Sequence, residues 1–373
     1  MSENIKTISI LGTRGIPASY SGFETSVQET ALRFVKLGHN VIVYCRANHF
    51  KNHPKEYFGV KLIYLFSIKN KFLDTITHSL FSIFHCLFSK TDGIILYGIG
   101  NAFLLPVLRI KGIPVVSVVD GADWKRGKWN KFAKWFLRIN RKFAVRWSSH
   151  YVVDNEQLAN EYMQLFGKMP SYIPYGANIP ESYDQSVLQK WDLTERKYII
   201  FIGRFVKEKG VDLLIRSFEK VNGDVNLVII GDNEFDREYV QQLYTTKDQR
   251  IVFTGYLYGK EYESLLHYAL FYVSASLLEG TSPSLLSAMA VNGFAVVSDL
   301  PENIEVLKGS CALFKTGDQN SITENISKYI TSPEIIEIER EKTKNIVKEY
   351  YNWDEISLKY LKLLNINHTL KKP

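Results

Sequence analysis

Glu279 is the one acid before the terminal Asp299 in the segment Leu278 to Asp299, LEGTSPSLLSAMAVNGFAVVSD, and stands directly ahead of the small polar run Gly280-Thr281-Ser282. Pro283 then opens a helix, Gly293 closes it and an apolar strand follows, the expected punctuation for a helix. A helix start aims free backbone N–H groups and the positive end of its dipole at whatever lies in front of it. Beside a carboxylate able to grip hydroxyls, this is chemistry for a ligand with anionic and polyol groups, as in a sugar nucleotide. Two cations offer a second anion contact. Arg204 and Lys209, in FIGRFVKEKG (Phe201–Gly210), flank a turn so that both can converge on one anion, arginine in bidentate fashion and lysine as a point charge. A solvated loop, with Glu208 neutralising Lys207 or Lys209, is the alternative; its place after a strand favours phosphate.

These residues need elements to carry them. Short β-branched runs alternate with helical periodicity: Thr7–Leu11, Val41–Cys45, Val60–Tyr64, Ile94–Tyr97, Val115–Val119 and Tyr151–Asp154, then Tyr198–Ile202, Asn226–Ile230, Ile251–Thr254, Phe271–Ser274 and Ala295–Ser298. Near-continuous apolar strands between helices predict parallel sheets covered on both faces. Two series in tandem predict an α/β chain of two doubly wound domains with a cleft between them, ligands sitting at the carboxyl ends of strands. The polar stretch Pro180 to Arg196 reads as the linker, and the pattern from about Ser332 is helical, ending with Trp353–Leu364. The loop after the first strand, Gly12 to Glu24, holds three glycines and enters a helix, so backbone can approach a ligand there. It matches neither GxGxxG nor a P-loop, and Cys45-Arg46 stands where a ribose-binding acid would end strand two. A plain glycine-rich βα loop is the equal alternative, and a simple NAD-binding domain is disfavoured.

Composition bounds the class. The 373 residues are long for one core, and 46% hydrophobic with 23% charged residues are globular values. Cys45, Cys86 and Cys311 are odd in number and form no CxxC pair, which argues against a disulfide framework or zinc cluster and for a reducing compartment. The N-terminus does not resemble a signal peptide, and no uncharged apolar run reaches the roughly 18 residues that span a bilayer. The net charge of +7 is concentrated: Trp124 to Trp147 carries nine Lys and Arg, including Lys125, Arg126, Lys128, Lys131, Lys134, Arg138, Arg141, Lys142 and Arg146, and no acid. Trp129, Phe132, Phe136, Phe143 and Trp147 add an apolar stripe at helical spacing. Such a helix can lie on an anionic membrane, or pack its stripe on the sheet and solvate its basic face. A second segment, Phe72 to Phe88, is apolar and aromatic, and reads as core, an acceptor channel or an interfacial helix; its His78 and His85 lack metal partners. No nucleic-acid module is apparent.

Taken in order, TRGIPASYSGFE, LGHNV, IPYGAN, IGRFVKEKGVDLLI, LVIIGDN, IVFTGY and LEGTSPSLLSAMAVNGFAVVSD resemble the landmarks of glycosyltransferase family 4, from Ile8 to about Leu307. TRGIPASYSGFE and DGADWKRGKW are similar to a bacterial rhamnosyltransferase-like group of surface-polysaccharide synthesis. The resemblance implies the GT-B fold: residues 1–178, with a returning helix at about 352–373, as acceptor-binding domain, and 196–351 as donor-binding domain. It implies that Arg204 and Lys209 hold the donor diphosphate, that Glu279 contacts the transferred sugar, and that Gly280 and Thr281 supply N–H groups near the phosphate. Gly15 and Gly22 line the first loop near that diphosphate, and Gly203, Gly231 and Tyr256 complete the donor-binding set. Asp120 takes the place where many relatives have a histidine lining the reaction centre, with a helix N-cap as its structural alternative.

Two departures matter. Ser287 occupies the position of the family's second glutamate, which bonds the ribose; a deoxyribose donor such as dTDP-rhamnose tolerates that loss. Asp120 replaces histidine. The chain has no Asp-x-Asp, so neither metal nor other cofactor is expected. The expectation is a retaining, metal-independent hexosyltransferase, moving rhamnose from dTDP-rhamnose to a polyprenyl-diphosphate-linked saccharide in capsule or O-antigen synthesis. It would sit in the cytoplasm, peripheral on the anionic inner membrane face through Lys125, Arg126, Lys128 and Trp129, with no nucleic-acid partner. A sugar-nucleotide epimerase or hydrolase, or a silent binding relative, stays open.

Overall fold

In the computed structural model, residues 5–18, 22–70, 73–119, 131–234 and 236–366 are described, the side chain of residue 132 excepted. The chain divides into two compact units, Met1–Tyr175 with Trp353–Pro373, and Gly176–Asn352. The first unit is built on eight strands: β1 Thr7–Leu11, β2 Asn40–Arg46, β3 Glu56–Tyr57, β4 Val60–Leu65, β5 Gly93–Tyr97, β6 Val115–Val118, β7 His150–Val153 and β8 Ser171–Tyr172. Their order is β3-β4-β2-β1-β5-β6-β7-β8. Ile8, Ile10, Val41, Val43, Ile94 and Ile95 are all buried, as strands covered on both faces require. The sheet is parallel except at one edge, where β3 pairs antiparallel with β4. Phe58 and Gly59, both at positive φ, form that two-residue hairpin loop, the backbone signature of a type I′ turn.

The second unit holds β9 Tyr198–Ile202, β10 Asn226–Ile230, β11 Ile251–Gly255, β12 Tyr272–Ser274, β13 Ala295–Ser298 and β14 Ala312–Phe314, ordered β11-β10-β9-β12-β13-β14 and wholly parallel. Phe201, Phe205, Phe218, Phe271 and Phe294 fill its core. Each sheet thus runs outward in both directions from its first strand, so the strand order reverses between β1 and β5 and again between β9 and β12. Loops at the carboxyl ends of such switch-point strands form the ligand crevice of open α/β sheets. This is the GT-B architecture.

One segment departs from the sequence reading. The stretch Pro180 to Arg196 is folded onto the second unit instead of linking two: Leu188 and Leu193 are buried, and Asp184 N donates to Ser264 Oγ (2.9 Å). Tyr183 stacks on His267 at 3.7 Å. The terminal helix Trp353–Leu363 belongs to the first unit, where it packs on the helix Gly22–Lys36 and Arg33 Nε meets Asp354 Oδ1 at 2.7 Å.

Candidate functional site

In the second unit the two loops at the switch point are stitched together. After β9 the chain passes Gly203 and the exposed Arg204, then closes a turn in which Lys209 N donates to the Val206 carbonyl (2.9 Å). Gly210 follows at φ +61°, and a Cβ there would come within 2.1 Å of the Ala275 carbonyl, the first residue beyond β12. Leu277 N donates to the Glu208 carbonyl at 2.8 Å, binding the post-β12 loop to the post-β9 turn. The result is a side-chain meeting: Lys209 Nζ donates to Glu279 Oε1, which also accepts from Ser276 Oγ (2.7 Å). Both partners are largely withdrawn from solvent, a setting in which an ion pair is held more firmly than on an open surface.

Beyond Glu279 the chain reaches a helix start. A Cβ on Gly280 would meet nothing within 4 Å, so the backbone there borders open space. Thr281 is buried, Ser282 caps the helix Pro283–Val291 through Leu285 N, and Pro283 sits in its first turn. Free N–H groups beside a lysine–glutamate pair can hold an anion while the carboxylate grips a hydroxyl. Ser287, one turn further on, is half-buried near the Tyr262 phenol. Burial pushes the Tyr262 phenol up to about 12, with Ser287 acting in the opposite direction.

Around this centre the remaining predicted positions divide. Gly231 (φ +151°) has a packing reason, since a Cβ there would lie 1.9 Å from the Gly203 carbonyl. Tyr256 presents a half-exposed ring stacked on Tyr258 at 6.3 Å, its hydroxyl donating to the Asp232 carbonyl (2.6 Å). Sequence reasoning missed Asn233, whose buried amide donates to the Phe205 carbonyl (2.9 Å) and pins the post-β9 loop. It also missed Tyr262, which no motif marks, whereas Asn233 closes the quoted run LVIIGDN.

In the first unit, Gly15 (φ +115°) lies against Cys45, where a Cβ would come 2.4 Å from Sγ. Burial pushes that thiol up to about 12, leaving it protonated and unreactive. Gly22 opens the helix Gly22–Lys36. Asn101, also missed, is buried between the loops after β1 and β5: it donates to the Tyr97 carbonyl (2.7 Å) and accepts from Ser79 Oγ (2.6 Å). Asp120, Lys125, Arg126, Lys128 and Trp129 lie outside the described residues. The helix Lys131–Trp147 buries Leu137, Asn140 and Ala144, half-buries Phe136, Phe143 and Trp147, and exposes Arg138, Lys142 and Arg146. One cation leaves the predicted basic face: Arg141 is buried and paired with Glu161 at 2.8 Å. Among the described residues no helix is long and apolar enough to cross a membrane.

Comparison with known proteins divides the chain at the same place. Residues 186–353 match the family described as Glycosyl transferases group 1, and residues 5–178 match a domain of unknown function, DUF1972. The gpi3 subunit of phosphatidylinositol N-acetylglucosaminyltransferase from Schizosaccharomyces pombe is 24% identical over 90% of this chain and 75% of its own length. A Campylobacter jejuni N-acetylgalactosamine-N,N'-diacetylbacillosaminyl-diphospho-undecaprenol 4-alpha-N-acetylgalactosaminyltransferase is 24% identical over 48% of this chain and 49% of its own. Among solved structures, Anabaena HepE in complex with UDP-glucose aligns with a TM-score of 0.78 at 13% identity, covering 97% of this chain and 100% of that one.

Proposed function

Because the chain carries a group 1 glycosyl transferase domain over residues 186–353 on a GT-B fold, we propose that this glycosyltransferase retains anomeric configuration and works without a metal. The donor is a nucleoside diphosphate sugar seated on the second unit, and the acceptor is a lipid-linked saccharide. The acceptor hydroxyl oxygen bonds to the anomeric carbon, the bond from that carbon to the diphosphate breaks, and the departing phosphate oxygen takes the acceptor's proton. Arg204 and Lys209 offset the charge growing on the leaving diphosphate, the electrostatic work a metal does elsewhere. Gly280 and Thr281 add N–H groups, and Glu279 holds a hydroxyl of the transferred sugar. Tyr256 completes the donor-binding set.

The observation carrying this reading is the Lys209–Glu279 contact, assembled from the loops that flank the switch point. The names of the fission-yeast and Campylobacter relatives, which act on phosphatidylinositol and a diphospho-undecaprenol saccharide, support a lipid-linked acceptor. The rhamnose assignment rests on Ser287: its single short hydroxyl cannot grip two ribose hydroxyls as a glutamate carboxylate does. A role in bacterial surface-polysaccharide synthesis at the anionic inner membrane face goes with that assignment. A thermal-shift panel of nucleotide sugars tests it, dTDP-rhamnose being expected to raise the melting temperature most. Strict preference for a ribonucleotide sugar would overturn the rhamnose assignment. Sugar release or epimerisation without acceptor would overturn transfer. Arg204→Ala and Lys209→Ala are each expected to cut kcat/KM by about 100-fold or more with the fold intact.

A further inference from the structure

We propose that the helix Leu73–Phe88 lays its outer face on an anionic lipid surface, a reading that rests on the lipid-linked acceptor above and names where the first unit meets the membrane. The helix buries His78, Ser79, Ser82, Ile83 and Cys86 against the sheet. Its opposite side exposes Leu73, Leu80, Phe81, Phe84 and Phe88 at helical spacing, Phe84 at 64% and Phe88 at 80%. The face extends past both helix ends. Phe66, itself exposed in the approach to the helix, meets Phe81 edge-on at 6.2 Å. At the far end Lys111 Nζ donates to the Cys86 carbonyl (2.7 Å), and its chain neighbour Ile110 is 82% exposed.

Exposed apolar side chains clustered on one face in this way mark an interaction or membrane surface. Charge selects its occupant. Lys69 and Lys90 stand exposed at the two ends, and Asp74, the sole acid from Phe66 to Lys90, is taken up by Arg46 (2.7 Å) and His49 (3.0 Å). Lys61, exposed, lines one cavity with Glu56 and Lys90, so the cations at that end outnumber the acid. An aromatic face framed by an excess of cations suits the headgroup boundary of an anionic bilayer, cations meeting phosphates and rings entering between them. The 16-residue helix is too short to span a bilayer, so it lies in the surface plane. The basic helix Lys131–Trp147 differs: Trp135 is its one exposed large apolar side chain among the described residues, so it attracts lipid charge but has little to insert.

Co-sedimentation of the full chain with phosphatidylcholine vesicles, with and without phosphatidylglycerol, tests this. The native protein should favour the mixed vesicles, and Phe81→Ser/Phe84→Ser/Phe88→Ser should lower partitioning by about tenfold or more. Melting temperature should not change, because these rings are exposed. Phe84→Trp, which keeps an aromatic ring, should shift its emission to the blue only when vesicles are added. Absence of native binding to either vesicle, or unchanged binding by the triple variant, overturns the proposal. So does a lipid-free dimer in sedimentation equilibrium that the triple variant dissolves, which would make the occupant a second copy. Arg204→Ala separates the two readings: it should lose sugar transfer and still bind vesicles.

Discussion

At the scale of single residues, the partner of Lys209 decides how the site is read. From spacing alone, Lys209 was expected to join Arg204 on one anion, because a linear sequence shows only what lies within a turn. The contact with Glu279, 70 residues away, exists because β12 lies beside β9, and strand order is invisible in local pattern. The acid and the cation were therefore legible as chemistry but not as a pair. Their pairing makes a distinctive prediction: Glu279→Gln removes the charge that competes with a diphosphate for Lys209. Isothermal titration should show nucleoside diphosphate binding two- to fivefold tighter, worth about 0.5–1 kcal/mol, while sugar transfer falls steeply. Weaker nucleotide binding would mean that the carboxylate orients the lysine instead. A second residue carries the acid response of the first unit. Burial, with the Arg46 charge adding to it, lowers His78 from 6.5 to about 4. The unfolded chain therefore binds a proton near pH 6 that the folded one does not, so stability is full above about 6.5 and declines as pH falls towards 4. Urea unfolding should show a loss on the order of 2–3 kcal/mol across that window, and His78→Leu should flatten it.

At the scale of elements, legibility followed apolar continuity. β1, β9, β10 and β13 were readable to the residue because each is a short, mainly apolar run rich in β-branched residues with a loop on both sides. β3, β8 and β14 are two or three residues long, too short for any period to register. The Pro180 to Arg196 stretch looked like a linker because its anchors, Tyr183, Leu188 and Leu193, are isolated among polar residues; they bury singly, without a repeating face. The packing constraints on glycines were hidden for a related reason, since a close approach between two strand exits leaves no mark in composition. Gly231 and Gly280 both belong to motifs, yet their surroundings differ. Gly231→Ala needs positive φ and a carbonyl to move, so it should cost about 2–4 kcal/mol and weaken nucleotide binding by shifting the post-β9 loop. Gly280→Ala meets open space and ordinary φ, and should leave stability within about 0.5 kcal/mol. Any loss of transfer by Gly280→Ala then reports crowding of the ligand. Thermal melts of the two variants beside their transfer rates test this contrast; a destabilised Gly280→Ala would remove it.

At the scale of the whole molecule, the chain leaves its first unit after Tyr175 and returns to it at Trp353. The return was legible as a terminal helical pattern, and the resemblance assigned it to the first domain. What it touches was not. Trp353, Ile356, Tyr360, Leu361 and Leu364 are all buried, and the Tyr360 phenol reaches that of Tyr97 at the carboxyl end of β5, the first unit's switch point. Tyr97 in turn bonds Ser26 of the helix Gly22–Lys36 at 3.0 Å. The last helix is therefore part of the wall behind the loops after β1 and β5. Removing residues 353–373 deletes these buried side chains, each worth about 1.5–3 kcal/mol of burial, and bares the surface they cover, a loss that exceeds the margin of an ordinary domain. The second unit keeps its own sheet and core. Calorimetry of the truncated chain should thus retain one cooperative transition, and a nucleotide sugar at a hundred times its dissociation constant should stabilise it by about 2.7 kcal/mol. A truncated chain whose surviving transition ignores nucleotide sugars would place donor binding outside the second unit, and with it the roles given to Lys209 and Glu279.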